Sequence, residues 1–514
     1  MNDPIKPVKL GPTDPLRWPV LLAIGVAMII WCLADVHRRG RVIPERLDKH
    51  RTDFTVYTEA GAAFFDGRDP YAVTNPRGWL YLYLPMFAIV ISPLHALAPE
   101  WQVTVWFFFC CAFAWGSVRE LTRIARSFSA PTGPPAKPSF DPKPTAADGE
   151  SAGGVPRYAI WAAIAVAMLP AMNNMQRGQV DLLKLYLILL GFRLCLTGGT
   201  WRAWFGGGVA LGAAIVLKLA PLLSAGYLVL LLAGRWLRQR QQPEAQSFAR
   251  LAGASGGMFA GVLALLLVIP ALFIGWQKNL GYIETFVVER VAKMGDGEAT
   301  DPAGNSRTLR NQCLTNSVVR CGNFLSYQFF GGADDRLIDS DPANCPPMAM
   351  DDPGVAVVTL IARLAVIAML LLAGGLSVWR GDTLGQVTAL TLACVVTLVV
   401  SPIGRASYYT EMAPAMIFVP LWLTRAGMPR AARFAAWTPV VIVWLHYCAL
   451  PIAGRVGLLG LGATYWVLTC LALLAIGRRS AANATDEVKE PKFARRPHSS
   501  DAFPLRRPLT QEHA

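Results

Sequence analysis

Charged residues are scarce in this chain of 514 residues. Asp, Glu, Lys and Arg make up 16% of the sequence, whereas hydrophobic residues make up 54%. Soluble domains usually carry roughly 25% charged residues, so the composition excludes an ordinary soluble protein. Many windows of about 15 to 25 residues contain no charge, which predicts an all-α, polytopic membrane protein.

Patterns that bind metals are also lacking. The six His residues are scattered along the chain, so a metal site built on His is not expected. No Asp-x-Asp motif lies near the first outer loop defined below. We therefore predict that the protein needs no metal and no other cofactor. Among the ten Cys residues, Cys313 and Cys321 leave open a disulfide in an oxidising compartment.

No small-residue cleavage site follows the first apolar segment, so that segment is predicted to be a retained helix. The predicted apolar segments are 18–34, 82–98, 101–118, 158–175, 182–198, 204–218, 221–233, 251–275, 355–379, 385–400, 411–424, 435–453 and 456–476.

The net charge of +14 comes largely from basic loops, which the positive-inside rule places in the cytoplasm. The predicted number of membrane crossings is about twelve, with both termini inside, if the stretch 82–118 crosses only once. The predicted organisation is a cytoplasmic segment 1–17, a membrane domain 18–476 and a basic cytoplasmic tail 477–514. Within the domain we predict outer loops 35–81 and 276–354, both with surface helices, and a disordered Pro-rich linker 119–157.

The first outer loop, 35–81, contains the candidate catalytic residue. Phe54, Tyr57, Gly61 and Phe64 fall at helical spacing, which predicts a short amphipathic helix on the membrane surface. Asp53 stands at its start. A carboxylate in that position suits either a helix cap or a catalytic base.

Other unusual polar residues also fall on the outer side. A concentration of Asp, Arg, Lys, Gln and Tyr at the membrane boundary indicates a site for a polar, anionic substrate reached from the lipid. Each residue also has a structural interpretation, because Lys218 and Arg405 could be interfacial anchors and Gln179 a helix cap. The candidate substrate-binding residues are Tyr57, Glu59, Tyr83, Gln179, Lys218, Arg310, Asn311, Gln312, Arg405 and Tyr408.

An ordered set of motifs resembles glycosyltransferase family 87, whose members are integral membrane enzymes of the type C glycosyltransferase fold. The motifs are Asp53-Phe-x-x-Tyr57, Gly67-x-Asp69-Pro70-Tyr71, Tyr81-x-Tyr83-x-Pro85, Ser92-Pro93-Leu94, Gly178-Gln179-Val180-Asp181, Lys218-x-x-Pro221, Asn311-Gln312-Cys313-Leu314 and Ser401-Pro402. The chain departs from the family where Asp181 replaces an Asn and Cys313 a Ser. It also has Arg405, Ser407 and Tyr408 where the family often has Trp and His.

The resemblance implies that a sugar, often mannose, passes from a polyprenyl-phosphate donor to an acceptor hydroxyl on the outer face of the membrane. It implies inversion at the anomeric carbon and Asp53 as the general base. A phosphate leaving group calls for fixed positive charge, for which Lys218, Arg405 and Arg310 are candidates. The expected partners are the donor, a glycolipid or glycan acceptor and membrane lipids, but no nucleic acid.

Other functions stay open on the sequence alone. A transporter or flippase for a lipid-linked sugar would use a similar charged cavity, although no internal repeat is evident. A non-catalytic assembly protein would use Asp53 only as a cap, and a ligase could move a whole glycan. The sequence does not name the sugar, the acceptor or the linkage.

Overall fold

The computed structural model describes residues 17–129, 154–240, 245–288, 312–330, 353–401 and 404–477. Within these ranges the chain is helical and forms no strand, apart from an isolated bridge between Thr74 and Leu80. The α-helices are α1 Arg17–Gly40, α2 Phe54–Phe65, α3 Pro85–Ile91, α4 Pro99–Ser129, α5 Arg157–Arg177, α6 Asp181–Thr197, α7 Trp201–Leu217, α8 Pro221–Gln239, α9 Ala245–Leu263, α10 Ile269–Ile274, α11 Trp276–Thr285, α12 Leu314–Phe330, α13 Pro353–Arg380, α14 Thr383–Val400, α15 Ala413–Arg425, α16 Pro429–Cys448, α17 Leu450–Ala453 and α18 Leu458–Ile476.

Several of these helices can cross a membrane. In the described ranges six helical stretches are long and apolar enough to span. They are Pro99–Phe128, Arg157–Arg177, Gln246–Ile274, Pro353–Arg380, Thr383–Val400 and Leu458–Ile476. Over the most apolar 18 residues of each stretch, the buried share is 89% in Thr383–Val400 but only 17% in Gln246–Ile274. Helix α14 is therefore central and α9–α10 peripheral. The all-α, polytopic fold is confirmed, while the number of about twelve crossings stays a prediction.

The stretch 82–118 contains one spanning helix. Helix α3 and the 3₁₀ turn Ser92–Ala96 form a short apolar helix, and α4 begins separately at Pro99. Twelve residues of helix reach roughly 20 Å, less than the roughly 30 Å of a bilayer core. The apolar segment predicted at 82–98 therefore does not span.

Helix α2 forms where the sequence predicts it, and other parts of the protein cover most of it. Most of its residues are buried, and Phe65 is its exposed residue. Its hydroxyl groups can be buried because they have partners. Thr55 Oγ1 bonds His50 Nε2 at 2.7 Å, and Thr58 Oγ1 donates to Gln102 Oε1 at 2.6 Å. The amphipathic pattern therefore predicted the helix correctly, and its position relative to the membrane surface stays a prediction.

The start of one predicted loop lies within a helix. Helix α4 continues to Ser129, so the first part of the predicted linker 119–157 is helical. The predicted outer loop 276–354 includes helices α11 and α12, in a segment for which surface helices were predicted. Apolar helices can extend beyond the membrane when the segments that follow still favour helix, and hydropathy does not mark where they end.

The turns that carry most of the predicted site residues meet at one end of the bundle, here called the site end. The Asp53 N–H donates to the carbonyl oxygen of Arg177 at 2.8 Å, which joins the start of α2 to the end of α5. Lys218, which follows α7, pairs with Asp181 at the start of α6. The other end is held by Arg380, whose guanidinium donates to carbonyl oxygens at the end of α18.

Cys313 and Cys321, between which a disulfide was left open, are not joined by one in the described residues. Cys313 immediately precedes α12 and Cys321 lies within that helix. Eight residues along a helix separate two Cα atoms by roughly 12 Å, whereas a disulfide requires less than about 7 Å.

Candidate active site

Asp53 precedes α2 without capping it. Its backbone is already helical, and its carboxylate makes no capping hydrogen bond. Thr52 Oγ1 instead accepts the hydrogen bond of the Phe54 N–H at 3.1 Å. The structural interpretation of Asp53 as a cap is therefore wrong, and its carboxylate is directed to other partners.

A close contact between α2 and the α5–α6 turn fixes the backbone of Asp53. Thr52 Oγ1 and the Asp53 N–H both donate to the carbonyl oxygen of Arg177, at 3.2 and 2.8 Å. Gly178 follows with a φ of +66°. A Cβ at this position would lie 2.5 Å from the Cβ of Phe54. Both the backbone conformation and the lack of space require glycine here.

The Asp53 carboxylate is surrounded by positive and amide groups. Arg177 Nη2 lies 3.2 Å from both carboxylate oxygens, and Arg405 Nη1 lies 3.3 Å from Oδ2. Gln179 Nε2 also donates to Oδ2. Asp53 is only 7% exposed. In the described part of the chain, Oδ2 thus accepts three hydrogen bonds and Oδ1 accepts one, which leaves Oδ1 the less occupied oxygen.

Arg177 was not predicted as a site residue. The available signal was a basic residue at the end of an apolar helix, which sequence reasoning usually assigns to the membrane boundary. Its guanidinium also packs over the ring of Trp79, with 5.5 Å between the guanidinium carbon and the ring centroid. Trp79 belongs to the loop between α2 and α3, so this loop helps to hold Arg177 beside Asp53.

Charge states around Asp53 follow from burial and neighbours. Burial lowers the pKa of Arg405, but the Asp53 carboxylate and the neighbouring tyrosines together outweigh burial and raise the pKa above its ordinary value. Burial first, and the Asp53 charge second, raise the pKa of Tyr57 above its ordinary value. Arg405 is therefore a fixed cation and Tyr57 a neutral phenol across the physiological pH range.

A group of tyrosines forms one wall of the site. The hydroxyl oxygens of Tyr57 and Tyr83 lie 3.3 Å apart, and Tyr83 donates to Gln179 Oε1 at 3.4 Å. Burial raises the pKa of Tyr83 well above its ordinary value. Because each phenol has one hydrogen and Tyr83 donates its own to Gln179, Tyr57 donates to Tyr83, and the two phenols form a neutral, hydrogen-bonded wall.

A second ionic cluster lies beside the first. Asp181 Oδ1 accepts from the ammonium groups of Lys184 and Lys218, each at 2.8 Å. Lys184 also pairs with Glu411. Lys218 Nζ lies 3.4 Å from the ring centroid of Tyr408. Lys184 and Glu411 were not predicted as site residues, although a Lys within an apolar helix is a signal of function.

The basic side chains of the two clusters differ in how far they are exposed to solvent. The Lys184 side chain is 1% exposed, whereas those of Lys218 and Arg405 are 17% and 28% exposed. Four basic side chains and three carboxylates converge on this end of the bundle. The accessible excess of positive charge suits an anionic ligand.

The remaining predicted site residues lie outside the two clusters or outside the described residues. Glu59 lies two positions from Tyr57 on α2, hence on another face, and it does not join the Asp53 cluster. Gln312 is buried, and its backbone N–H donates to the Gly404 carbonyl oxygen at 2.6 Å. Gln312 therefore supports the loop that carries Arg405. Arg310 and Asn311 lie outside the described residues.

Comparison with known families gives a match to this chain. The model of Glycosyltransferase family 87 matches residues 81–320. This range contains Tyr83, Gln179, Lys218 and Gln312 of the site, whereas Asp53 and Arg405 lie outside it.

A curated relative extends over nearly the whole chain. It is the polyprenol-phosphate-mannose-dependent alpha-(1-2)-phosphatidylinositol mannoside mannosyltransferase of Mycolicibacterium smegmatis. The two sequences are 22% identical over 516 residues, covering 94% of each chain. Together with the helical fold, these matches identify the chain as a membrane glycosyltransferase that is similar to glycosyltransferase family 87 across residues 81–320.

Proposed function

We propose that this glycosyltransferase moves a mannosyl unit from a polyprenyl-phosphate donor to a hydroxyl group of a glycolipid or glycan, on the outer face of the membrane. The observation that carries the proposal is the buried Asp53 carboxylate held beside a group of accessible basic side chains at one end of a helical membrane bundle. The relative named above uses a donor of the same chemical class according to its name.

The reaction is a single displacement that inverts the anomeric carbon. The acceptor oxygen forms a bond to that carbon while the bond from the carbon to the phosphate oxygen breaks. The acceptor proton passes to a base, and polyprenyl phosphate leaves as an anion. Such a reaction needs a base on one side of the sugar and positive charge on the other.

Asp53 is the base in this proposal. Arg177 and Gln179 hold its carboxylate, and the less occupied Oδ1 receives the acceptor hydroxyl. A base has to lie within hydrogen-bonding reach of the proton it takes. Arg177 also balances the charge of the carboxylate before the proton arrives.

Lys218 and Arg405 bind the phosphate of the donor. Both are cationic, and both are more accessible than Lys184. A phosphate leaving group gains negative charge as its bond to the sugar breaks, so fixed cations stabilise the transition state more than the ground state. The polyprenyl chain stays in the lipid, which makes a soluble nucleotide-binding domain unnecessary. We further propose that these residues suffice without a metal ion.

The test is transfer of radiolabelled mannose from polyprenyl-phosphate mannose to a lipid extract, with purified protein in detergent and a chelator present. Asp53→Asn removes the base with little change in shape. We expect its turnover to fall by about a thousandfold, in the middle of the range for loss of general base catalysis. Glu59→Gln is the matched control, since it neutralises a carboxylate on the same helix outside the cluster, and it should retain wild-type turnover.

Each outcome has a separate meaning. Labelled product from wild type and Glu59→Gln, but not from Asp53→Asn, supports the complete proposal. Equal labelling by all three proteins would remove Asp53 from the mechanism. Labelling by wild type only after magnesium or manganese is restored would overturn the proposal of a metal-free reaction.

A further inference from the structure

We propose that Asp181 is a positioning residue that aims the Lys218 ammonium at the donor phosphate. This inference rests on the proposed function, because it takes Lys218 as a ligand of that phosphate. Asp181 itself is fully buried and touches no solvent, so it acts through Lys218 and not on the substrate.

The carboxylate of Asp181 is saturated by protein groups. Its Oδ1 accepts from Lys184 and Lys218, each at 2.8 Å, and its Oδ2 accepts from Asn174 Nδ2 at 3.2 Å. A buried carboxylate with three partners from three separate chain positions has a fixed orientation. It can therefore serve as a rigid anchor for a flexible lysine.

The second buried pair explains why this anchor is stable. One carboxylate cannot balance two ammonium groups, and an unbalanced buried charge is costly. Glu411 supplies the second negative charge through its ion pair with Lys184. The result is an alternating row of Lys218, Asp181, Lys184 and Glu411. Three of its members are buried, and only Lys218, at the end of the row, reaches the open part of the site.

Lys218 is held from two sides. Its Nζ bonds Asp181 and lies 3.4 Å from the ring centroid of Tyr408. An ammonium group has three donors. Asp181 takes one of them, and the partial exposure of the side chain leaves room for a ligand at the others. A lysine ordered before binding loses less conformational entropy when the phosphate arrives.

The same row joins the segments that surround Asp53. Asp181 follows Gln179 by two residues, and Glu411 lies in the 3₁₀ turn Ala406–Met412 that follows Arg405. Both Gln179 and Arg405 contact Asp53. The row therefore sets the place of Lys218 relative to the base, which is the geometry that a single displacement depends on.

The experiment measures binding of polyprenyl phosphate, the leaving group, to purified protein by microscale thermophoresis, which requires no turnover. The variants are Asp181→Asn, Lys218→Gln and the two combined. We expect Asp181→Asn to raise Kd by about tenfold and Lys218→Gln to raise it at least as much. In the combined variant the loss should equal that of Lys218→Gln alone, since the anchor has no effect without the lysine.

A general loss of structure would give a different result. In that case the two substitutions would act independently, their effects on Kd would multiply, and the inference would be overturned. Asp35→Asn is the matched control. It changes another buried, ion-paired carboxylate, one bonded to Arg38 and Arg39, outside the row, and should leave Kd unchanged.

A second variant keeps the test decisive if Asp181→Asn does not fold. Tyr408→Leu removes the ring beneath Lys218 without changing any charge. It should also raise Kd, again with no further loss on top of Lys218→Gln, and multiplying effects would contradict the inference. Failure of wild-type protein to bind polyprenyl phosphate or to transfer mannose would instead contradict the proposed function itself.

Discussion

At the scale of single residues, the site depends on a division of roles between Thr52 and Asp53. The start of a helix needs an acceptor for its free N–H groups. Thr52 supplies that acceptor, so the Asp53 carboxylate is left for Arg177, Gln179 and Arg405. In the proposed mechanism the carboxylate can therefore take a proton without a change at the start of the helix.

A substitution at Gly178 should disturb the contact between α2 and the α5–α6 turn. Gly178→Ala places a Cβ 2.5 Å from the Cβ of Phe54 and adds a side chain at a φ of +66°. The left-handed conformation alone costs about 1–2 kcal/mol for alanine. We expect a lower unfolding temperature and an approximately tenfold loss of mannosyl transfer, because Asp53 moves away from Arg177.

The control for Gly178→Ala is Gly206→Ala. Gly206 lies within α7 and has open space around its Cα, so alanine there should stabilise the helix slightly. Thermal unfolding in detergent and the radiolabel assay measure both variants. Equal activity of Gly178→Ala and wild type would show that the contact between α2 and the α5–α6 turn is not needed for catalysis.

The sequence predicted part of this site at residue level. Gln179, Lys218, Arg405 and Tyr408 were expected to lie together, and they do so because each occupies a turn at the same end of alternating helices. Arg177, Lys184 and Glu411 were missed as site residues. Their charges are meaningful only through partners distant in sequence, and no local pattern identifies those partners.

At the scale of elements, helix α2 shows what periodicity predicts and what it does not. Helical spacing correctly predicted a short helix, which the structure has at Phe54–Phe65. The depth of the helix depends on its neighbours, since α3 packs so closely that a Cβ at Gly61 would lie 2.7 Å from the carbonyl oxygen of Ala88. The sequence pattern of such a helix is the same whether water or another helix covers the face with small residues.

Helix α11 holds the end of α2 in place. The Tyr282 hydroxyl donates to the Arg68 carbonyl oxygen at 3.0 Å, and its ring packs against Phe64 and Tyr71. Lys278 Nζ donates to the Gly67 carbonyl oxygen at 2.7 Å. Residues 66–68 follow α2 directly, so the end of α2 is fixed by α11.

The prediction for this element is that Tyr282→Ala destabilises the protein by about 3 kcal/mol, as loss of a buried aromatic side chain does. Leu280→Ala, on the exposed side of the same helix, should change stability by less than about 0.5 kcal/mol. Thermal unfolding of both variants in the same detergent measures the difference. Equal stability would mean that α11 does not hold α2.

At the scale of the whole molecule, the two ends of the bundle have different tasks. Asp53, Asp181 and Arg405 meet at the site end, whereas Arg380 closes the other end by binding the last carbonyl groups of α18. The sequence predicted this separation from basic loops. It placed the start of the linker 119–157 too early, because α4 continues as a helix to Ser129.

The orientation of the bundle can be tested directly in cells. Arg77→Cys places a thiol in an exposed loop at the site end, and Arg240→Cys places one at the opposite end. In a cysteine-free background, a membrane-impermeant maleimide added outside should label Arg77→Cys and not Arg240→Cys before lysis. The reverse pattern would place the site in the cytoplasm and contradict the proposed outer-face reaction.

The contact between Arg405 and Asp53 joins residues 352 positions apart, and this has a consequence for biosynthesis. Helices enter the membrane in the order in which the ribosome makes them. During that time Asp53 has only early partners such as Arg177, and Lys184 has Asp181 but not yet Glu411. Arg405, the last cation that pairs with Asp53, and Glu411, the last carboxylate of the row, both lie in the segment that follows α14. The charges of this site are therefore balanced only once that late segment is in place, and a chain that ends before it contains Asp53 but no complete site.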